Sequence, residues 1–390
     1  MIDAEIKSSL DRLTSYIEGQ NFKGWDPYDL LNSPIPFRWF GKMAQAVVIQ
    51  AGKLLPWSPR RWMFVAKGEN PKGLGLMLNA YCNLYRVFKD ERYLQKADYL
   101  FERLKAVRSQ GYEEYCWGYN FVWANPQSVL AKYKPSSVVT AFVCQGVFNY
   151  HQLTGNPEAA EIIDSAAQYI LKYLNVTETE HGICLSYTEE EKDCCYNASL
   201  LSGELLAMKY ALTGDGSLLP TIKRILEFAI AHQQDDGHWN YSINLDTGAE
   251  RKQVDFHQGF VLNSIYNICT NAGLMNDEIK SVLAKGLDFY RTKQFLDNGQ
   301  SLWRIPKSLP VDIHNQAQGI ITLSKITDNA EYHKFAETIM QWTMAHMQSR
   351  KGYFHYRIFR HYTIRTPFMR WSEAWMLLAF SELLLSNTKQ

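Results

Sequence analysis

Two five-residue stretches, Val254-Asp255-Phe256-His257-Gln258 and Val311-Asp312-Ile313-His314-Asn315, repeat one pattern, V-D-x-H-[QN]. Two placed aspartates can work across a groove as general acid and general base, and glycosidases need two carboxyls about 5–10 Å apart. Aspartate is also a favoured helix N-cap, and an amide just inside the helix fits that role too. Capping and catalysis therefore stand as alternative readings of Asp255 and Asp312, with His257 and His314 beside them as substrate-binding candidates. Glu373 offers a third carboxylate or a structural ion pair with a nearby arginine.

A second cluster runs from Gly352 to Trp375, GYFHYRIFRHYTIRTPFMRWSEAW, with Arg350 just before it. Arg357, Arg360, Arg365 and Arg370 alternate there with Tyr353, Tyr356 and Tyr362, and Trp371 follows. Guanidinium groups bind carboxylate or phosphate bidentately. The cluster thus points to a uronic acid, a sugar nucleotide or a lipid-linked pyrophosphate, with Tyr356 as a proton-shuttling candidate. The chain holds 11 Trp, 23 Tyr and 19 Phe, more rings than a core requires. Trp117, Trp239, Tyr241 and Trp303, with Arg304 and Asn197, are expected to line a sugar-binding surface.

These residues need elements that bring them to one place, and a repeat supplies them. Apolar helical segments can be anchored at Gly75, Ser136, Asn197, His257, His314 and Trp371, at spacings of 61, 61, 60, 57 and 57. Amphipathic segments alternate with them, starting after Asp90, Asn156, Asp215, Asn276 and Asn329, which are capping or turn residues. The inner-to-outer turns are TGN at 154–156, TGDG at 213–216, NAG at 271–273 and TDN at 327–329. A long aromatic loop or short hairpin follows each outer segment. A helix apolar on all sides is buried on all sides, so the pattern predicts an all-α (α/α)6-type toroid with its loops, short β-hairpins and inner-helix N-termini at one mouth. A superhelical solenoid is the rival, and it would require amphipathic inner helices. Residues 70–390 form the repeats. Residues 1–69, with a helix near Ala4 to Glu18 and another from Phe37 to Leu55, are expected to close the ring as part of one domain.

Composition narrows the partners. With 41 basic and 40 acidic residues the net charge is +1, so no overall field favours nucleic acid. The start, MIDAEIKSSLDRL, has no apolar signal core, and no run is long enough for a membrane-spanning helix. A cytoplasmic setting and a reduced state of the seven cysteines are expected. Contact of the Phe37 to Trp62 segment with a membrane surface stays open. Adjacent Cys194 and Cys195, without a CxxC partner, suit packing better than zinc. No G-x-G-x-x-G, P-loop, H-E-x-x-H or G-x-S-x-G motif occurs, and neither cofactor nor metal is expected.

The step His257 to Phe260 and the ending PFMRWSEAWMLLAFSELL resemble carbohydrate-active α/α-toroid proteins: six-hairpin glycosidases including unsaturated uronyl hydrolases, uronyl C5-epimerases and N-acylglucosamine 2-epimerases. The ending also resembles proteins encoded in bacterial capsule and exopolysaccharide gene clusters. The resemblance implies an enzyme acting on a glycan or lipid-linked oligosaccharide, uronate-containing, in polysaccharide biosynthesis. In uronyl hydrolases the catalytic pair are aspartates near the mouth, which Asp255 and Asp312 match. In the epimerases tyrosines and carboxylates move the C5 proton, for which Tyr353, Tyr356 and Tyr362 are candidates in a uronyl C5-epimerase or lyase. A clear histidine constellation of the N-acylglucosamine epimerase kind is not evident. A non-catalytic glycan-binding or scaffold protein and an isoprenoid-handling toroid are further alternatives, the last without a DDxxD or DxDD run.

Overall fold

In a computed structural model, residues 4–124, 129–326 and 329–388 are described, so Thr327 and Asp328 of the expected TDN turn lie outside them. In chain order the helices are α1 (Ala4–Gly19), α2 (Gly41–Leu54), α3 (Pro71–Phe88), α4 (Glu91–Ala106), α5 (Ser137–Thr154), α6 (Pro157–Tyr173) and α7 (Tyr196–Thr213). They continue with α8 (Leu219–Ala231), α9 (His257–Ala272), α10 (Asp277–Lys293), α11 (Ile313–Lys325), α12 (Ala330–Met347) and α13 (Trp375–Asn387), the last preceded by a π-helical turn, Met369–Ala374.

Odd-numbered α3 to α13 are the apolar segments of the repeat, and each packs on the next, with α13 returning to α3. They form a closed inner ring that supplies the largest share of the core. Glycine lets the ring tighten. At the α3–α5 crossing a Cβ on Gly146 would lie 2.3 Å from the Gly75 carbonyl oxygen. The even-numbered helices from α4 to α12 form the sheath. Between α4 and α12 sits α1: Glu18 pairs with Lys96 of α4, and Ser9 bonds to Gln348 just after α12. This makes α1 the sixth outer helix, and the fold is the expected toroid.

Local chemistry sets the helix ends. Gly155, Gly214 and Gly273 stop α5, α7 and α9 in the left-handed region, with φ of +70, +68 and +66°. Asp90, Asn156, Asn276 and Asn329 cap the outer helices through their side chains, and Asp215 caps the 3-10 turn before α8.

The opposite end of the ring carries the long connections. They hold hairpins β1 (Trp123–Ala124) with β2 (Val129–Leu130) and β3 (Val176–Thr179) with β4 (Gly182–Leu185). Two three-stranded sheets join consecutive repeats. One is β5 (Cys194–Cys195), β6 (Ser242–Asn244) and β7 (Ala249–Arg251); the other is β8 (Val311–Asp312), β9 (Arg357–Ile358) and β10 (Thr363–Ile364), in the order β10-β9-β8. The expected hairpins at one mouth are thus present.

Helix α2 lies on the loop end, against the 3-10 turn Asp29–Asn32 and β1, while α1 fills the sixth outer place.

Candidate functional site

The N-terminal ends of the inner helices converge at the loop end, and the twin V-D-x-H stretches sit on two neighbours, α9 and α11. Both aspartates turn back onto their own helices. Asp312 Oδ1 accepts the His314 backbone N–H at 2.9 Å and the Trp371 indole N–H at 2.9 Å. Its Oδ2 accepts from Arg357 Nε at 2.6 Å. The antiparallel β8–β9 pairing sets Asp312 opposite Arg357, so the sheet register itself makes this buried ion pair. Asp255 Oδ1 accepts the His257 backbone N–H at 3.2 Å and faces His257 Nδ1 at 2.5 Å. Its Oδ2 accepts from Gln253 at 2.9 Å and lies 3.4 Å from Arg304 Nε. Burial, the largest influence on Asp255, pushes its carboxyl up, but His257, the hydrogen bonds and Arg304 outweigh it and hold it below the usual range.

An ionised carboxylate only accepts, so His257 Nδ1 donates to Asp255, and the carboxylate fixes the orientation of the ring. His314, one inner helix away, is buried, and neither of its ring nitrogens has a partner. Burial first, then Lys72, Arg370, His257 and Arg357, hold its pKa well below 6.5, so it is neutral. Phe256 stacks on both imidazoles, with centroids 4.2 Å from His257 and 4.1 Å from His314. Trp371 meets His314 edge-on at 4.8 Å, and Tyr241 meets His257 at 4.9 Å. The mouth brings the two histidines together on either side of Phe256.

Charges ring this pair. Arg370 grips Asp26 through Nε at 2.6 Å and Nη2 at 2.9 Å, Arg357 holds Asp312, and Arg304 leans on Asp255. Lys72, in the first turn of α3, is buried and has no carboxylate in ion-pair contact among the described residues. Its ammonium stands 3.9 Å over the Phe142 ring, with Phe260 and Trp375 at 5.4 Å. Burial and then Arg370 push the Lys72 pKa well down, against a weaker pull from Asp26. Buried unpartnered polar atoms are rare in folded proteins and call for an explanation. The two His314 nitrogens, the Tyr356 hydroxyl and Arg304 Nε form a cluster of them here.

Of the candidates from sequence, Asp255, His257, Asp312, His314, Tyr241, Trp303, Arg304, Tyr356, Arg357, Arg370 and Trp371 gather at the mouth. Trp303 lies under Arg304 at 4.9 Å and Arg357 at 6.0 Å. Tyr356 is fully buried, and burial raises its phenol well above 10, so it stays protonated. Other candidates go elsewhere. Trp117 and Trp239 are 0% exposed, their indole N–H groups donating to the Leu104 and Ala229 carbonyls. Their loops fold back so that the rings fill the space between helices, where no sugar can stack. Asn197 is buried in the first turn of α7 and accepts from Cys195 Sγ. Glu373 faces α1: one oxygen accepts the Phe354 N–H at 3.0 Å, the other has no partner, and burial raises its pKa well above 4.5. Arg360 is exposed in the β9–β10 turn. The sequence reading missed Lys72, Asp26 and Phe256. Phe256 sits inside the first V-D-x-H stretch, but nothing local marks the other two.

The turn end of the ring differs. A cavity of about 700 Å³ opens there, lined by Asn79, Asn83, Gln145, Asn149, Glu204 and Lys325 among others. Burial raises the Glu204 carboxyl, yet Gln145, Ser264 and Asn267 all donate to it. This end has more room. The loop end has the two neighbouring imidazoles, with both nitrogens of His314 unpartnered, and the buried Lys72 beside them.

The fold defines the class: an (α/α)6 toroid, here with titratable side chains at the inner-helix N-termini. Solved structures of the same architecture confirm the fold. A cellobiose 2-epimerase from Bacillus thermoamylovorans matches with a TM-score of 0.63 at 16% identity, over 80% of this chain and 88% of that one. The Lin0763 protein of Listeria innocua matches at 0.67 and 12% identity, over 98% of each chain. An unsaturated glucuronyl hydrolase specific for heparin matches at 0.63 and 12%, over 97% of this chain and 95% of that one. No protein-family profile matches the sequence, and neither does any curated protein.

Proposed function

We propose that the protein is a carbohydrate-active enzyme that moves a proton on an acidic sugar, with His257, held by Asp255, as the acid/base group. The observation that carries this reading is the pairing of an Asp-oriented imidazole with a second, neutral imidazole whose two nitrogens have no protein partner. A uronate-containing glycan, free or lipid-linked, fits best. Its carboxylate would find Lys72, which has no carboxylate in ion-pair contact among the described residues and would be held protonated by one beside it, and neutralising that carboxylate acidifies the C5–H next to it. His257 Nε2 would take the C5 proton, and His314 would supply a neutral N–H donor. Return of a proton to the opposite face gives epimerisation. Loss of the C4 oxygen substituent gives elimination. General acid/base help of this kind contributes about 10²- to 10⁴-fold.

The twin-aspartate hydrolysis reading becomes the second one. A general acid must keep its proton near neutral pH, yet Asp255 is held low and Asp312 is tied to Arg357 and Trp371. It is favoured by the likeness, over nearly the whole chain, to an unsaturated glucuronyl hydrolase.

Proton NMR in D₂O over a panel of uronates, unsaturated uronyl oligosaccharides and neutral aldoses separates the two. Deuterium appearing at uronate C5, and lost in His257→Gln, is expected. New reducing ends without deuterium at C5, lost in Asp255→Asn, would overturn the C5 proton-transfer reading in favour of hydrolysis.

A further inference from the structure

Between Asp29 and Glu69 the sequence has no acidic residue and six basic ones, Arg38, Lys42, Lys53, Arg60, Arg61 and Lys67. The chain as a whole is nearly neutral, so this stretch is the exception. It also holds nine of the sixteen large apolar side chains that stand exposed among the described residues. Trp39 is 76% exposed, Phe40 68%, Met43 63%, Val47 58%, Trp62 79% and Phe64 77%, whereas outside the stretch none exceeds 52%. Scattered exposed apolar residues are ordinary, but a cluster of this size marks a surface that something covers.

Helix α2 explains the cluster geometrically. Ala46, Ile49 and Gly52 face the protein, and Gly52 sits so close to Leu30 that a Cβ would lie 1.8 Å from Leu30 Cδ1. Phe40, Met43, Val47 and Leu54 fall on the opposite side of the helical wheel, where a surface helix normally carries charge. The neighbouring loop joins the same face, since Ser33 Oγ donates at 2.7 Å to the Met63 carbonyl, between Trp62 and Phe64. The face also borders the mouth. Tyr362 donates to the Leu54 carbonyl, Lys53 stands 4.4 Å over Tyr28, and Tyr28 packs on Trp371 at 5.7 Å.

We propose that this face docks on an anionic lipid bilayer, with α2 lying in the plane of the interface and the mouth held beside it. Apolar residues on one side, tryptophans at the headgroup level and basic residues without acidic ones make up the composition of interfacial helices. Arg60 is buried against Asp29 at 2.6 Å, so the outward charge comes from residues such as Lys42 beside Met43 and Arg61 beside Trp62, both exposed. A second copy of the chain fits poorly. Two such faces would oppose like charges with no acid on either to match them.

Sedimentation of the full chain with vesicles tests this, comparing phosphatidylcholine alone with a phosphatidylcholine–phosphatidylglycerol mixture. Binding to the mixed vesicles is expected, at least tenfold weaker on the neutral ones and weakened by salt. The W39A/F40A/W62A/F64A variant should lose at least tenfold with an unchanged melting temperature. R61Q alone should lose about fivefold on the mixed vesicles only. Absence of vesicle binding, or equal binding to both vesicles, would overturn the proposal. So would concentration-dependent self-association by light scattering that the four substitutions abolish while vesicle binding is absent.

Discussion

The two ends of the ring are built from the same six inner helices and use them in opposite ways. At the turn end, connections are short and spend their polar residues on caps, so the axis is lined by the amides of the helices themselves. Asn79, Asn83 and Asn149 bond to one another or to Glu382, and Glu204 accepts from Gln145, Ser264 and Asn267. At the loop end the connections are long enough to reach across repeats. They bring in carboxylates and guanidinium groups from the β8–β9 register and from the N-terminal segment. There, charges are paired to near completion while two imidazole nitrogens, a phenol and an ammonium keep free valences. The turn end has the room, and the loop end holds the two neighbouring imidazoles and the buried Lys72.

The largest expected effect tests that contrast directly. H257Q should lower turnover about 10³-fold, within the usual range for a lost acid/base group, whereas E204Q should change it only a few-fold. A steady-state comparison giving the reverse would move the chemistry to the turn end. Next comes stability. D312A removes a cap and leaves Arg357 buried without its partner, which costs about 3–5 kcal/mol, readable in a urea melt. N276A, at the turn end, removes only a cap that accepts the Ile279 N–H at 2.8 Å and costs about 1 kcal/mol. Equal losses would mean that the loop-end pair adds nothing beyond capping.

K72Q should lower kcat/KM on uronate substrates about 10- to 100-fold, as expected for a lost charge-assisted contact, and change neutral sugars little. Equal losses on both would remove the anion-recognition role. The smallest effect is on pH. His314 has a folded pKa well below 6.5, so as pH falls through 6.5 the unfolded chain takes up the proton first and stability is lost. Melting temperatures between pH 7 and 5 should therefore fall less steeply in H314F than in the parent. Parallel slopes would mean that His314 is not kept neutral by its surroundings.

Much of this was legible in the residues. The sixty-residue period, the all-apolar helices and the caps at Asp90, Asn156, Asn276 and Asn329 are patterns over a few turns of chain, and the toroid follows from them. The repeated V-D-x-H stands at the loop end of two neighbouring inner helices, α9 and α11. It did not tell a catalytic aspartate from one that caps and orients, because both need a carboxylate at the same place. Aromatic rings misled where burial decided. Trp117 and Trp303 occupy equivalent loops, but one fills the core and the other lies under two arginines at the mouth.

Sequence by itself determined the repeat, the helix ends, the hairpins and the apolar ring, because these rest on interactions between residues close in the chain. Only the tertiary structure decided which residues meet at the mouth. Asp26 meets Arg370 across 344 residues, Lys72 reaches the imidazoles only when α13 closes on α3, and α2 becomes an exposed apolar face because α1 has already taken the last place in the sheath. No local pattern encodes such encounters, since each depends on which surfaces are left when the ring shuts.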